Sequence, residues 1–352
     1  MHIYVNARFL TQRPTGVERY AYEICLALVK TGASITLVCP SMGKIDSAYD
    51  ISRFNIRRFG VGASHFWEQL VFPWYFIGKK DYVVLSFTGL GSILIQNKIM
   101  TVHDLSFLVN PSWFSKPYYY LYKVATPLAL RTSKHIITVS QFSKKEIVRF
   151  YPFISPDRIS VVYNAVNTSI FHVLPKRHSS DTPYFLAVSS IDQRKNFLQL
   201  LNVFDGIQGC TLKIVGGNNR IFNSSMPERN TPNNIEYLGR VSDAELVELY
   251  NEANAFIFPS LYEGFGLPPI ESMASGCPVL ASDIPVLREV CGDAAIYFDP
   301  RDPSSIKNAI MQCLQMNDGD RQTIINKGKQ NVTRYSWERS ARKITELIKQ
   351  NK

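Results

Sequence analysis

EGFGLPPIE, residues 263–271, decides how this chain folds and what it holds. Glu263 and Glu271 are the only charged residues between Ala253 and Ser282; around them the chain reads as core, AFIF before and PVLA after. A buried carboxylate is costly unless something pairs with it or hydrogen-bonds to it. An apolar strand ends just before this stretch, and a helix begins near Pro268 or Pro269, where proline's missing N–H costs nothing. Gly264 and Gly266 let the backbone turn tightly and approach a ligand. The amides of Gly266 and Leu267 then sit at the positive end of the helix, a place for a phosphate. Glu263 falls on the loop before it and Glu271 on the first turn after it, where carboxylates accept hydrogen bonds from vicinal hydroxyls. The simpler alternative is a helix N-terminus with two dipole-favoured acids.

Three further stretches carry candidate chemistry. In SSIDQRKNF (189–197), Arg194 and Lys195 fall at a loop-to-helix junction after an apolar strand. Arginine grips phosphate in a fork and lysine adds a point charge, so together they suit a diphosphate without a metal. In TVHDLSF (101–107), His103 follows a buried strand and suits a hydroxyl or a developing charge. In RPTGVERY (13–20), Gly16 opens a helix whose N-terminus suits a phosphate. No D-x-D is placed for a metal–diphosphate site, and the DGD at 318–320 reads as a polar loop between helices. The motifs of P-loop nucleotidases, dinucleotide-binding dehydrogenases, zinc proteases and α/β-hydrolases are absent.

The elements around these sites alternate. In the first half, the apolar runs MHIYVNAR, SITLVC, YVVLSF, KIMTVHD and HIITVS are separated by amphipathic stretches, with helices expected at 16–32, 66–79, 117–132 and 141–150. Periodicity fades toward 183 and then restarts with YFLAVS, TLKIVGG, NIEYLG, AFIFPS and PVLAS. SDAELVELYNEA opens with S-x-x-E, a capping box. Strands alternating with helices predict parallel, doubly wound sheets. The expected fold is α/β, two tandem Rossmann-like domains with a cleft between them. The boundaries are 1–168, a linker at 169–183, a second domain at 184–335, and a last helix at 336–352.

A length of 352 residues suits two cores, and no apolar run reaches transmembrane length. The six cysteines form no CxxC, which argues against a disulfide frame or zinc site and for a reducing compartment. Residues 1–170 carry 19 Lys and Arg against 9 Asp and Glu, the whole of the net +10, whereas residues 171–352 carry 20 of each. Such a half is either a solvated basic face or a surface for an anionic partner. Two aromatic–basic stretches lie in it, 66–80 and 114–134, and suit a membrane interface.

Taken together, the stretches resemble the family 4 retaining glycosyltransferases, which have the GT-B fold. The specific element is EGFGLPPIE followed by SMASGCPVLASDIPVLREVCGDAAIYFDP. TGVERYAYEI, TVHDLSFLVNP, HIITVSQFSKKEI, RKNF and SWERSARKI extend the resemblance from residue 13 to about residue 343. The resemblance implies a metal-independent hexosyltransferase, with a mannosyl unit favoured. The donor would be a GDP-, UDP- or dTDP-sugar; no cofactor and no nucleic acid is implied. It implies that Glu263 and His103 face the donor sugar and that Arg194 and Lys195 neutralise the diphosphate. Gly264, Phe265, Gly266 and Leu267 would hold sugar and phosphate, Glu271 the ribose, and Gly16 the phosphates. Relatives often carry Gly-Arg or Gly-Thr where this chain has Ser189-Ser190, so the donor contact at Ser190 departs from the pattern. The basic half implies a saccharide acceptor on a polyprenyl diphosphate, at the inner face of a bacterial plasma membrane, in surface-polysaccharide assembly. A nucleotide-sugar 2-epimerase of the same architecture and a basic nucleic-acid-binding protein are the alternatives.

Overall fold

The structure is a computed structural model that describes residues 1–175, 182–189, 193–217 and 232–351. The chain divides into two compact units, Met1–Asn164 with Ser336–Lys352, and Ala165–Tyr335.

The first unit is built on seven strands: β1 (His2–Asn6), β2 (Ile35–Pro40), β3 (Asn55–Phe59), β4 (Tyr82–Ser86), β5 (Lys98–Val102), β6 (His135–Thr138) and β7 (Ile159–Val161). They pair in parallel in the order β3-β2-β1-β4-β5-β6-β7. Val5 faces Leu37 on one side and Leu85 on the other, so the first strand lies in mid-sheet. Strands inside such a sheet are covered on both faces, and β5 (KIMTV) and β6 (HIIT) are buried at every position. Helices α1 (Gly16–Lys30), α2 (Lys116–Thr132) and α3 (Gln141–Phe150) flank the sheet.

Three features differ from the sequence expectation. Strand β3, NIRRF, was not expected; it is a polar edge strand, exposed at Asn55, Arg57 and Arg58. Strand β7 is three residues long, below the length at which a period is visible. The helix expected at 66–79 is instead a single turn at Ser64–Phe66, a π-helical turn at Trp67–Val71 and a 3₁₀ turn at Phe72–Phe76. Pro73 cannot donate to a continuing helix. Trp67, Phe72 and Phe76 fill the core there, and the Trp67 indole donates to the Phe59 carbonyl at 2.8 Å.

Among the described residues, the second unit repeats the plan with six strands: β8 (Tyr184–Val188), β9 (Thr211–Val215), β10 (Ile235–Gly239), β11 (Ala255–Phe258), β12 (Val279–Ser282) and β13 (Ala295–Phe298). Their order is β10-β9-β8-β11-β12-β13, all parallel. The helices among the described residues are α4 (Phe197–Asp205), α5 (Asp243–Glu252), α6 (Leu267–Ala274), α7 (Pro285–Cys291), α8 (Pro303–Leu314) and α9 (Asp318–Val332). Phe185, Leu200, Phe204, Leu212, Ile257, Ile306 and Ile310 share one buried cluster. The Ser242–Glu245 capping box forms, with the Ser242 amide donating to the carboxylate at 2.7 Å. The DGD at 318–320 is not a loop: it is the first turn of α9, capped by Asn317.

The last helix, α10 (Trp337–Gln350), belongs to the first unit and lies against α1. Trp337 meets Tyr20 at 6.0 Å between ring centroids, Ser340 donates to the Tyr163 carbonyl at 2.7 Å, and Lys30 pairs with Glu338 at 2.6 Å. Of the expected linker, residues 176–181 lie outside the described residues; Phe171, inside it, is buried near Tyr250, and both belong to the second unit. All six cysteines are buried and unpaired.

Lys98 is fully buried at the start of β5, where its ammonium donates to the Ile95 carbonyl at 2.9 Å and the Thr132 hydroxyl at 2.7 Å. Burial pushes its pKa from 10.5 down to about 7. Between those two values the unfolded chain holds a proton that the folded chain has shed, so this group makes stability rise with pH there; below about 7 its contribution no longer changes. Lys98→Met is therefore expected to remove part of that slope: the thermal midpoint of wild type relative to the variant should climb between pH 7 and pH 9.5. A constant difference across that range would show that Lys98 stays charged in the fold.

Candidate active site

The second unit gathers most of the expected residues at the carboxyl ends of β8 and β11. These two strands are neighbours, and the chain leaves them in opposite directions along the sheet, which opens a crevice at their ends. After β8, a 3₁₀ turn at Gln193–Lys195 leads into α4 through Asn196, which takes a left-handed φ of +58° and donates its side-chain amide to the Pro300 carbonyl at 2.7 Å. The Leu261 amide donates to the Arg194 carbonyl at 2.8 Å, which staples the loop after β11 to this turn. Ser190 lies outside the described residues.

Lys195 and Glu263 meet across that staple at 2.6 Å, and both side chains are almost entirely buried. The ammonium also lies 5.5 Å from the centre of the Phe258 ring, a cation–π contact. Beyond Glu263, the edge of Phe265 packs on Tyr335 at 5.3 Å. Gly266 caps α6 with φ +98°, and a Cβ there would lie 3.0 Å from the Leu287 side chain, so both conformation and space require glycine. Pro268 and Pro269 take the second and third helical positions. A helix start leaves four amides without intrahelical partners; here two of those positions have no N–H, so Gly266 and Leu267 supply the donors that remain. Glu271 is buried on the second turn of α6, one turn later than expected, because the helix starts at Leu267.

His103 and Gly16 belong to the first unit. His103 follows β5, half-buried, with Nε2 donating to the Phe87 carbonyl at 2.9 Å and its ring edge-on to Tyr20 at 4.8 Å. Since a carbonyl only accepts, Nε2 carries the hydrogen and Nδ1 keeps a lone pair. Burial lowers the pKa of the imidazole, so it is neutral at pH 7 and accepts from a hydroxyl rather than donating to a charge. Gly16 is the first residue of α1, but that helix start is already partly occupied: Glu18 accepts from the Thr15 amide at 3.2 Å and from its hydroxyl.

Two features of the sites escaped the sequence reading. Ser260, fully buried in the loop after β11, has a hydroxyl with no partner among the described residues. In the first unit, Asn6, Arg8, His65 and Glu68 form a buried polar cluster. The signal was present: Glu68 is the one Asp, Glu, Lys or Arg between Phe59 and Gly78, as isolated among apolar residues as Glu263.

Removing one partner of a buried pair strands the other charge, which costs roughly 3–5 kcal/mol. Lys195→Met is expected to lower the urea-unfolding stability of the second unit by about that amount, and adding Glu263→Gln to recover most of it. Equal losses in the single and double variants would mean that the pair is solvated and uncoupled.

Comparison with known proteins places the chain in a family. The profile described as Glycosyltransferase Family 4 matches residues 14–170, and that of Glycosyl transferases group 1 matches residues 173–331. The chain is 32% identical over 265 residues to the O-antigen chain mannosyltransferase RfbU of Salmonella typhimurium, covering 74% of this chain and 71% of that protein. It is 31% identical to O-antigen chain mannosyltransferase B of Escherichia coli, covering 75% and 73%. In fold it is similar to a sucrose-phosphate synthase from Thermosynechococcus elongatus, with a TM-score of 0.79, 19% identity and coverage of 99% and 98%. It is similar as well to Anabaena Alr3699/HepE in complex with UDP and glucose, with a TM-score of 0.74, 16% identity and coverage of 99% and 98%. Two mannosyltransferase relatives favour hexosyl transfer over 2-epimerisation, and the chain belongs to the family 4 glycosyltransferases, hexosyl-transferring enzymes of the GT-B fold.

Proposed function

We propose that this glycosyltransferase moves a mannosyl unit, with retention, from a nucleoside-diphosphate sugar to a saccharide carried on a polyprenyl diphosphate, without a metal ion, in surface-polysaccharide assembly. The observation that carries the donor half is the Lys195–Glu263 pair beside the two bare amides of Gly266 and Leu267. Arg194, Lys195 and those amides form a preorganised set of positive partners for a departing diphosphate. Glu263 keeps lone pairs for sugar hydroxyls, but its ion pair at 2.6 Å blunts it as a nucleophile. A front-face route then fits: the anomeric C–O bond to phosphate breaks, the acceptor oxygen bonds to the same face, and its proton passes to the leaving phosphate. Glu271 takes the ribose, and His103 Nδ1 accepts from a donor-sugar hydroxyl. The mannosyl choice rests on the names of the two O-antigen relatives.

The test is direct. Thermal shifts with GDP, UDP and dTDP identify the base, and release of nucleotide from the matching sugar donor should persist in EDTA. Arg194→Ala should lower turnover by roughly 10²–10³, the range for removing one charge-stabilising donor. Activity lost in EDTA and restored by manganese overturns the metal-free reading.

The acceptor half rests on the surface of the first unit. Helix α2 exposes Tyr120, Leu121, Val124 and Leu128, spaced along one face, with Lys116, Lys123 and Arg131 alongside. Phe66, Leu70, Trp74 and Ile77 are exposed too, and Lys79 and Lys80 follow them. Apolar rings edged by cations suit the interface of an anionic bilayer, and among the described residues no helix is long and apolar enough to cross one. Each such cation is worth about 1 kcal/mol near an anionic surface and fades within a Debye length. Binding to vesicles containing anionic lipid, released by high salt, is expected. Replacing Lys79, Lys80, Lys116 and Lys123 by Glu should abolish it while nucleotide affinity stays intact. A quadruple variant that still pellets with such vesicles removes the membrane from the proposal.

A further inference from the structure

The switch point of the first sheet lies between β1 and β4: the chain leaves β1 toward β2 and leaves β4 toward β5. Loops that diverge in this way leave a crevice at the carboxyl ends of the strands. In the second unit the corresponding place holds a cation from the loop after its first strand, Lys195, bound to a carboxylate. The first unit has the same two ingredients. Arg8 follows β1, and Glu68 enters from the π-helical turn, a rare conformation that recurs at functional sites.

Glu68 is entirely buried. The Asn6 amide donates to its Oε1 at 2.8 Å; His65 Nδ1 lies 3.3 Å and an Arg8 Nη2 lies 3.9 Å from its Oε2. The loop after β4 closes over the group at Gly89, with φ +70°. A Cβ there would meet Arg8 Nη2 at 2.7 Å and the Glu68 oxygens at 3.0 and 3.1 Å. Two atoms in the cluster are buried without a partner among the described residues: Arg8 Nε and, next to Gly89, Thr88 Oγ1. Orphaned polar atoms and a desolvated carboxylate weaken a fold, so stability alone does not explain the arrangement.

His65 is the member that solvent reaches, with 26% of its side chain exposed and its ring edge-on to Tyr122 at 5.6 Å. A carboxylate only accepts, so Nδ1 carries the hydrogen toward Glu68, and in the neutral ring Nε2 keeps its lone pair. The charges of Arg8 and Glu68 offset each other, and Glu18 adds negative potential nearby, acting on Tyr122 together with them. That balance disfavours an anion and suits an uncharged, hydroxyl-rich ring.

We propose that the crevice between β1 and β4 is the acceptor-sugar subsite, in which His65 Nε2 accepts a hydrogen bond from a hydroxyl of a neutral hexopyranoside and the Tyr122 ring lies against the sugar. Glu68 is a positioning residue: it fixes the tautomer and orientation of His65, and Asn6, Arg8 and Gly89 hold Glu68. Naming this sugar the acceptor rests on the glycosyl-transfer reading above; the binding of a sugar here does not.

The test uses the full chain, ¹⁵N-labelled at histidine, with methyl α-D-mannopyranoside as probe. The His65 imidazole resonances should shift saturably as the sugar is added, and Glu68→Gln should weaken that binding about tenfold, the scale for one misplaced hydrogen bond. With the donor that supports nucleotide release, the ratio of sugar-stimulated to unstimulated release should fall about tenfold in His65→Ala through a higher sugar KM. His65→Gln, which keeps an acceptor atom, should recover part of it. An absent or unsaturable shift, or an unchanged ratio in His65→Ala, overturns the subsite. A saturable shift in a protein that releases nucleotide from no sugar donor leaves the subsite standing and sinks the transfer reading.

Discussion

In each unit the first strand runs through the interior of an all-parallel sheet, and the ligand chemistry depends on that placement. β1 is flanked by β2 and β4, and β8 by β9 and β11, so in each case the chain must build one side of the sheet before crossing to the other. The crossover leaves two loops diverging at the strand ends with nothing between them. Backbone amides and charged side chains collect there because sheet pairing cannot use them.

In the second unit this crevice is closed by chemistry rather than by apolar packing. The Leu261–Arg194 backbone bond draws the loops together, and the Lys195–Glu263 pair satisfies two groups that neither loop could bury alone. Gly266 and the two prolines then fix where the helix begins and which amides stay bare. A cation, a carboxylate and two donors held this rigidly cost the fold some stability. In the proposed reaction they need little reorganisation when a diphosphate leaves, which is where an enzyme gains most from fixed dipoles.

The first unit answers the same geometry with a more enclosed cluster. Its carboxylate has no exposed surface and its cation is shut in by Gly89, leaving His65 as the contact with solvent. A group so enclosed suits hydroxyl recognition better than charge neutralisation. The difference between the two crevices is therefore in charge and access, although the sheets that frame them are alike.

The sequence by itself determined the fold class, the GT-B resemblance and the two loops proposed here for the donor. A parallel strand buried on both faces shows as an apolar run, and a carboxylate inside such a run, as at Glu263, has few explanations. It did not yield β3 or β7, because a polar edge strand and a three-residue strand carry no period. It placed Glu271 a turn early, since the double proline marks a helix start only to within a residue or two. Only the tertiary structure decided that Lys195 binds Glu263, that His103 keeps its lone pair on Nδ1, and that Asn6, Arg8, His65 and Glu68 converge. Those pairings span up to 68 residues of chain, and local propensity and spacing hold no information about which distant loops a sheet will bring to one edge.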